Sequence, residues 1–552
     1  MIKKIIFLFM FLFTIISAQQ TGYVEYNHKV YRFLEKMETQ HILSYYNSSE
    51  IPKTRKQIVK HILEINENRN KLNSVDSGIL DDLLNEFEFD INGTTKNYSS
   101  FFDNGFNSVF SQKEKFLYFS HKKDKGSIFV NAVLNVSSIF ENDGELDNNY
   151  NAQLVQYGGQ VRGTIFNNFG FMMKGTNGTF TGDKQVVLDH TPLKYNYKFS
   201  SDPDHQTATD FFDETEGYFM GEFENFIFKI GRDRSLLGYG INKIILGENS
   251  PPMDYVQLSF NYDFLDYTFL HGKLLGTVSN SLAKDDVIDK YFVYHRFGLD
   301  FGKHLNIGLG EMAIYADRSF DLSYLNPFNF YKSVEHLNQD RDNTFLFVDF
   351  ENRSIKGLKF YGSLLIDDLD FGKIGNGWYG NKTVLSVGAH STNLYNIIPL
   401  DIKTEYIRVQ PYVYAHRFYK NNFTSLNYSL VDPIFPNSDV ISIDLNYEFS
   451  SRINAGLNYS YTRHGKNIYD ENGNLVKNVG GDVLQGHREN DAEHLDFLEG
   501  RKETISRIKF NASVEPYKNY LILLEIGLQK IKEEGKILDN AVISQLRFML
   551  RL

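Results

Sequence analysis

The stretch from Arg318 to Asn343 is the richest in side chains that could do chemistry. Arg318, Asp321, Asn326, Glu335, His336, Asp340, Arg341, Asp342 and Asn343 are interleaved there with Phe320, Tyr324, Phe328, Phe330 and Tyr331. Flat aromatic faces suit the apolar side of a sugar ring, and fixed carboxylates or amides suit its hydroxyls. The segment therefore offers Arg318, Tyr324, Tyr331, Glu335, His336 and Arg341 as a candidate ligand set. The competing reading is a loop folded inward as a plug, whose polar groups only satisfy one another.

Other motifs are weaker. The run GRDRSLLGYG at 231–240 has the glycines of a phosphate loop but neither the Lys-Ser/Thr end nor a strand–helix context. His487, Glu489, Glu493 and His494 lie in a charged loop without the H-E-x-x-H spacing of a zinc helix, so a solvated loop is the better reading. No G-x-S-x-G elbow occurs, and His295, His336 and His416 have no Ser–acid partners in sequence. Asp367 and Asp368 are adjacent, and neighbours on a strand face opposite ways, which argues against a carboxylate dyad. The expectation is a protein without catalytic residues, metal or cofactor.

These side chains must be positioned by larger elements, and composition limits which. The chain has 552 residues, net charge −11, no Cys, 47 Phe and 35 Tyr. Absence of Cys excludes disulfides, cysteine metal sites and thiol nucleophiles. The acidic balance argues against nucleic acid as a partner. Lys3 and Lys4, the apolar run Ile5 to Ile16, and Ser17-Ala18 before Gln19 read as a secretory signal peptide over 1–18. Its removal takes the charge from −11 to −13, two lysines fewer. No later apolar run approaches the roughly 20 residues a membrane helix needs. An exported chain of this kind can enter a membrane only as a closed β-barrel.

Residues 19–90 read as a small helical bundle. Val30, Phe33, Leu34, Met37 and Ile42 share one helical face, and Thr54 with Gln57 forms a T-x-x-Q capping box before Ile58, Ile62 and Ile65. Ser74 or Asp76 then opens a third helix carrying Ile79, Leu80, Leu83, Leu84 and Phe87. A bundle this small is marginal alone, so it should dock on the rest of the chain.

Residues 91–552 read as a barrel, because the pattern after residue 120 has period two. Ile441, Ile443, Leu445, Tyr447 and Phe449 alternate with Ser442, Asp444, Asn446 and Glu448, and similar runs lie at 128–136, 453–461, 508–514 and 520–528. In the final run Val542, Ser544, Leu546, Phe548, Leu550 and Leu552 oppose Gln545, Arg547 and Arg551. Runs of nine to eleven residues are the length that crosses a bilayer at a tilt, and the long polar stretches 181–216 and 464–503 contrast with short turns elsewhere. About 25 residues per strand and loop suggests 16 to 18 strands. In such a barrel Arg232, Asp233, Arg234, Asp321, Asp340 and Asp342 should form a structural charge network facing the lumen, since charge is costly on the lipid face.

Four motifs go beyond periodicity: GRDRSLLGYG at 231–240, ILGENSPPMD at 245–254, KYFVYHR at 290–296 and RSFDLSYLNPFNFYKSVEHLNQDRDNT at 318–344. With YNHKVYRFLEKMETQHIL at 26–43 and the P-x-[ST]-R element at 52–55, they resemble the Wzi family of outer-membrane capsule-assembly proteins, in the same order along most of the chain. The resemblance implies an all-β transmembrane fold: an antiparallel outer-membrane barrel of about 18 strands with a small N-terminal helical bundle on the periplasmic side. It also implies a lectin that binds capsular or surface polysaccharide and helps retain or assemble it at the cell surface, in contact with outer-membrane lipid and the polysaccharide export machinery. The alternatives are a porin for oligosaccharides and, more weakly, a barrel enzyme. A porin requires an open lumen and a lectin tolerates a filled one.

Overall fold

The computed structural model describes residues 20–552 except 123–124, 145–147, 201–209, 249, 395–397 and 432. The segment read as a signal peptide lies outside the described residues. Eighteen antiparallel strands close into a barrel. In chain order they are β1 Gly126–Asp143, β2 Asn148–Ile165, β3 Phe169–Gly182, β4 Asp210–Phe223, β5 Phe226–Asp233, β6 Met253–Tyr262, β7 Leu265–Thr277, β8 Val287–Phe301 and β9 Leu305–Ala316. The second half comprises β10 Asn343–Ile355, β11 Leu358–Asp368, β12 Lys382–Leu394, β13 Ile398–Val409, β14 Ser438–Ser450, β15 Ile453–Lys466, β16 Arg501–Val514, β17 Tyr520–Glu533 and β18 Lys536–Arg551. The seam pairs Ala541–Arg551 of β18 with Val133–Asp143 of β1, and a short strand, Tyr118–Lys122, extends β1 below it.

Alternation sorts the wall as the sequence predicts. Ile441, Leu457, Ile508, Phe510, Ile526, Leu528, Val542 and Leu546 are exposed on the outside. Ser442, Asp444, Asn446 and Thr462 are buried on the inside. A continuous apolar outer wall is a lipid-facing wall. One mouth is closed by short turns such as 224–225, 263–264, 356–357 and 451–452, while the other carries loops as long as 467–500. Phe166, Phe223, Phe226, Tyr262, Phe264, Phe301 and Phe449, all exposed, ring the short-turn mouth as an aromatic girdle.

The N-terminal helices occupy the short-turn mouth. They are α1 Val30–Thr39, α2 Arg55–Glu67, α3 Ser74–Glu86 and α4 Glu88–Asn92. Thr54 and Gln57 make the expected capping box. The cap of α3 is Asn73, one residue before the expected start, because its side chain reaches the Asp76 N–H at 2.8 Å. Val30, Phe33, Leu34, Met37, Ile58, Ile62, Ile65, Ile79, Leu80, Leu83 and Phe87 form one core. Each such side chain contributes about 1.5–3 kcal/mol by leaving water.

What an isolated bundle would leave exposed, α1 presents to the barrel wall as charge. Glu35 pairs with Lys403 at 2.6 Å and Lys359 at 3.1 Å, Lys36 with Glu448 at 3.0 Å and Asp76 at 2.7 Å, and Arg32 with Asp444 at 2.7 Å. Glu38, Glu351, Arg353 and Lys359 form a buried cluster between helix and wall. Lys29 reaches Glu515 at 3.0 Å and Glu86 reaches Lys518 at 3.1 Å. Docking is therefore polar and specific in register.

Burial alone would raise the carboxyls of Glu25, Glu35, Glu86 and Glu515, but the facing cations hold them below the usual range, Glu25 at about 2. A carboxyl with a depressed folded value stabilises fully above its unfolded value and loses that contribution as pH falls through the folded value. Burial and the Glu351 carboxylate push Glu38 the other way, up to about 8, so its contribution weakens as pH rises toward that value. Burial raises Asp76 within the bundle as well, and the four lowered carboxyls, each facing a cation across the docking interface, set the outcome on the acid side. Limited proteolysis should find α1–α3 protected near neutrality and cleaved below about pH 4, while the heat-modifiable barrel persists. Equal protection at pH 3 and pH 7 would refute the ion-pair account of docking.

Above the helices, the side of the lumen lined by β6–β14 is also filled. Leu237, Ile244, Ile245 and Leu246 from the loop 234–252, and Val413, Tyr414, Phe423, Leu430, Val431 and Ile434 from the loop 410–437, pack against inward residues such as Leu270, Phe292, Tyr294, Met312 and Phe345. Below this apolar core, Arg296 is fully buried and bonds Asp349 at 2.8 Å, Asp266 at 2.9 Å and Asn306 at 2.8 Å. Leu236–Leu237 pairs with Glu50–Ile51, so the in-folded loop and the N-terminal segment meet inside the barrel.

Candidate functional site

The glycines of 231–240 serve an internal anion. Gly240 has φ +95, and a Cβ there would lie 1.8 Å from Glu405 Oε2. This close approach lets the backbone N–H groups of Ile241 and Asn242 each donate to the Glu405 carboxylate at 2.9 Å. The ligand of the Gly-rich loop is thus a carboxylate of β13, which accounts for its phosphate-loop look.

The charges of that motif do not all face inward. Asp233 is in the lumen, bonded to Lys229 at 2.6 Å and to the Tyr255 hydroxyl, and Arg234 is buried 3.9 Å from Glu214. Arg232 points outward and pairs with Asp254 at 3.0 Å on the neighbouring strand. The expectation of three lumen charges fails for Arg232 because successive strand residues face opposite sides.

The segment 318–342 departs further from expectation. It enters the lumen nowhere. It leaves the end of β9 at the long-loop mouth and folds back over the outside of the barrel as a strap. Tyr324, Tyr331 and Val334 pack on outward-facing Tyr267, Phe269, Tyr291, Val293, Ala313 and Tyr315. Phe328 reaches down to stack on Tyr267 at 5.5 Å, two residues above the turn 263–264. The lumen is already occupied by 234–252 and 410–437, whereas this patch of outer wall is aromatic and polar and requires a cover.

The fit is tight. Asp321 caps the short helix Leu322–Leu325 through the Ser323 N–H at 2.9 Å. Arg318 makes a two-pronged contact with Asp342 at 2.7 and 2.8 Å and lies 4.4 Å over the Tyr315 ring. The Tyr324 hydroxyl donates to Asp342 at 2.9 Å. Tyr331 stacks on His295 at 4.4 Å and opens the helix Tyr331–Leu337. Its N–H donates to Glu311 at 2.7 Å, and the Lys332 N–H donates to the same carboxylate at 3.4 Å. Glu335 bonds Thr344 and pairs with Lys332 at 2.7 Å.

The six candidate ligand residues therefore divide. Tyr324 and Tyr331 are 0% exposed and offer no ring face to a ligand, while Arg318 and Glu335 are engaged in holding the strap. His336 and Arg341 are exposed. Asp321 and Asp342 belong to the strap's own contacts outside the barrel, and Asp340 is exposed at its upper end, so none of the three joins a lumen network. Glu335, His336 and Asp340 bring ligand atoms within 4.8 Å of one another, but Lys332 already neutralises Glu335.

A second polar and aromatic group lies in the long loops. Tyr379 stacks on His487 at 3.5 Å, Tyr412 meets His487 edge-on at 5.3 Å, and Lys373 sits 3.7 Å over Trp378. Nearby, Lys477, Asn478, Arg488, Asn490 and Asp491 line a cavity of about 280 Å³. Asp491 is fixed by Arg488 at 2.7 Å and Asn478 at 2.7 Å; against the cost of its burial, these partners keep its carboxyl below the usual range. Sequence reasoning named His487 only as part of a solvated charged loop and passed over the rest of this group. The available signal was the chain's one Trp, set between Gly377 and Gly380 in a loop.

A family model described as capsule assembly protein Wzi matches residues 138–536. Among solved structures, Wzi of Escherichia coli superposes with TM-score 0.56 at 10% identity, covering 96% of this chain and 99% of that one. That protein is described as an outer membrane protein involved in group 1 capsule assembly and a carbohydrate-binding β-barrel. OccK8 (OprE) of Pseudomonas aeruginosa gives 0.44 at 11% identity, covering 77% and 98%, and OccAB1 of Acinetobacter baumannii gives 0.44 at 10%, covering 77% and 96%. No curated protein matches the chain.

Proposed function

The chain belongs to the Wzi family of capsule-assembly proteins, and from that premise we propose that it binds capsular polysaccharide and helps retain or assemble it at the cell surface, without turning it over. The observation that carries this reading over an oligosaccharide porin is the filled lumen: an apolar core of in-folded loops above, and helices tied by buried ion pairs below. His295, enclosed by Tyr331 and Glu311, supports a reading without catalysis.

On this reading residues 1–18 direct export, 19–90 form a bundle on the periplasmic side of the outer membrane, and 91–552 form the barrel. Short turns beside the helices and long polar loops at the opposite mouth support that orientation. The export machinery would meet the helical mouth, and polysaccharide the long loops. His336 and Arg341 remain the saccharide contacts of the strap. Tyr379, His487 and Arg488 add a second group to the same surface, and Arg318, Tyr324, Tyr331 and Glu335 position the strap.

The test is binding of capsule from the native host to folded wild type beside two variants. Arg341→Ala should weaken retention about tenfold, the loss of one charge-assisted contact worth about 1.4 kcal/mol. Tyr331→Ala should instead lower the temperature of heat-modifiable migration and leave polysaccharide bound per folded molecule unchanged. Failure of wild type to bind that capsule would overturn the proposal.

A further inference from the structure

We propose that the apolar outer face of the strap is embedded in the bilayer, with Phe320, Leu322, Phe328, Phe330 and Leu337 seated among acyl chains, while the exposed His336, Asp340 and Arg341 stand at its upper end by the long-loop mouth. These five side chains are 59%, 78%, 60%, 74% and 84% exposed, while the strap residues between them, Tyr324, Tyr331 and Val334, are buried against the wall. A strap facing water would carry its charges outward; from Phe320 to Glu335 this one exposes no charged side chain, and its exposed charges, Asp340 and Arg341, lie at its upper end with His336. Its outer face also continues an apolar surface. Leu309 on β9 and Leu346 and Val348 on β10, the strands it joins, are exposed on the same side of the barrel.

The wall beneath supplies a second, independent reason. His271, His295 and Glu311 project outward from β7, β8 and β9, and all three are buried only because the strap lies over them. Bare, they would place a carboxylate and two imidazoles against hydrocarbon, where polar groups are costly. The strap covers them and presents five apolar side chains in their place.

Irregular backbone survives at membrane depth only when its polar groups are satisfied within the protein. The strap meets that demand with side chains. Glu311 takes the Tyr331 and Lys332 N–H groups, Asp321 takes that of Ser323, and Asn326 takes that of Phe328 at 3.1 Å. Asn329 donates to the Ser323 carbonyl at 2.7 Å, and the Tyr267 hydroxyl donates to the Pro327 carbonyl. Asn326 and Asn329, which make this loop look water-loving in sequence, are turned onto its own backbone.

Tryptophan fluorescence in vesicles tests the assignment. Trp378 is the chain's only Trp, so Trp378→Phe provides a dark background. In it, Phe330→Trp and, separately, Leu322→Trp are reconstituted into phosphatidylcholine with acyl chains brominated at mid-chain. Retained heat-modifiable migration certifies each barrel, and Leu322→Trp serves if Phe330→Trp fails to fold. Emission from the strap should fall at least twofold relative to unbrominated lipid, as from Leu309→Trp on the bare wall, while native Trp378 in the wild type changes little. Insensitivity to bromine with quenching by aqueous acrylamide would place the strap's face in water and overturn the proposal. Insensitivity to both quenchers would place a protein partner there and overturn it equally.

Discussion

Arg296→Met should destabilise the barrel by about 3–5 kcal/mol, the usual cost of removing one partner from a buried ion pair. Arg296 is enclosed in the lumen and its guanidinium serves Asp349, Asp266 and Asn306 together. Methionine fills much of the volume but leaves Asp349, itself almost fully buried, without a cation. The carboxylate must then be ionised in a poor solvent or take up a proton. Unfolding in urea from detergent micelles, followed by loss of heat-modifiable migration, gives the measurement. Combining Arg296→Met with Asp349→Asn should recover part of the loss, because the uncompensated charge is removed with its partner. If the single variant unfolds like wild type, the network does not hold the barrel as described.

The second large effect concerns ion flow. Purified wild type in planar bilayers should carry no steady current, because the apolar core of 234–252 and 410–437 and the docked helices close the lumen in series. Lys359→Glu would set a new carboxylate beside Glu35, Glu38 and Glu351, where one cation now serves all three. Loss of that buried cation costs about 3–5 kcal/mol before repulsion is added. Helix α1 should become protease-sensitive at neutral pH while the current stays absent, since the upper seal is separate. Large reproducible channels in wild type would restore the porin reading. Current through the Lys359→Glu variant alone would show that the helices are the only effective seal.

Much of the barrel was legible because period two is a local signal. Ile441 to Phe449 announces which side chains share a face, and lipid on one side leaves a single register acceptable. The Thr54–Gln57 box was equally local. The strap was not legible in this way. Its mixture of aromatics and amides is the same composition a sugar site or a plug would have, and a loop without period does not encode whether it turns inward or outward. That choice was made elsewhere, by Glu311, His295 and Tyr315 on the wall and by the loops that had already filled the lumen. Arg232 is a different case. Three consecutive charges cannot share one strand face, so alternation itself assigns Arg232 and Asp233 to opposite sides. The grip of Ile241 and Asn242 on Glu405 joins positions far apart in sequence and leaves no local trace.

The plug also constrains the order of assembly. Helix α1 pairs with Asp444 and Glu448, and Glu25 with Arg551, near opposite ends of the chain, and the barrel shuts only when β18 meets β1. The helices sit at the short-turn mouth, and when they are held near the growing sheet their charges stay unpaired until the C-terminal strands arrive. Contacts of such long sequence separation make for slow folding and a prolonged interval with polar groups exposed at the edge of a half-built wall. During that interval the acidic and basic residues of α1 serve as a template, favouring the strand register that returns Lys359, Lys403 and Glu448 to their partners. A shift by one residue would turn those side chains out of the barrel and leave α1 without its counter-charges.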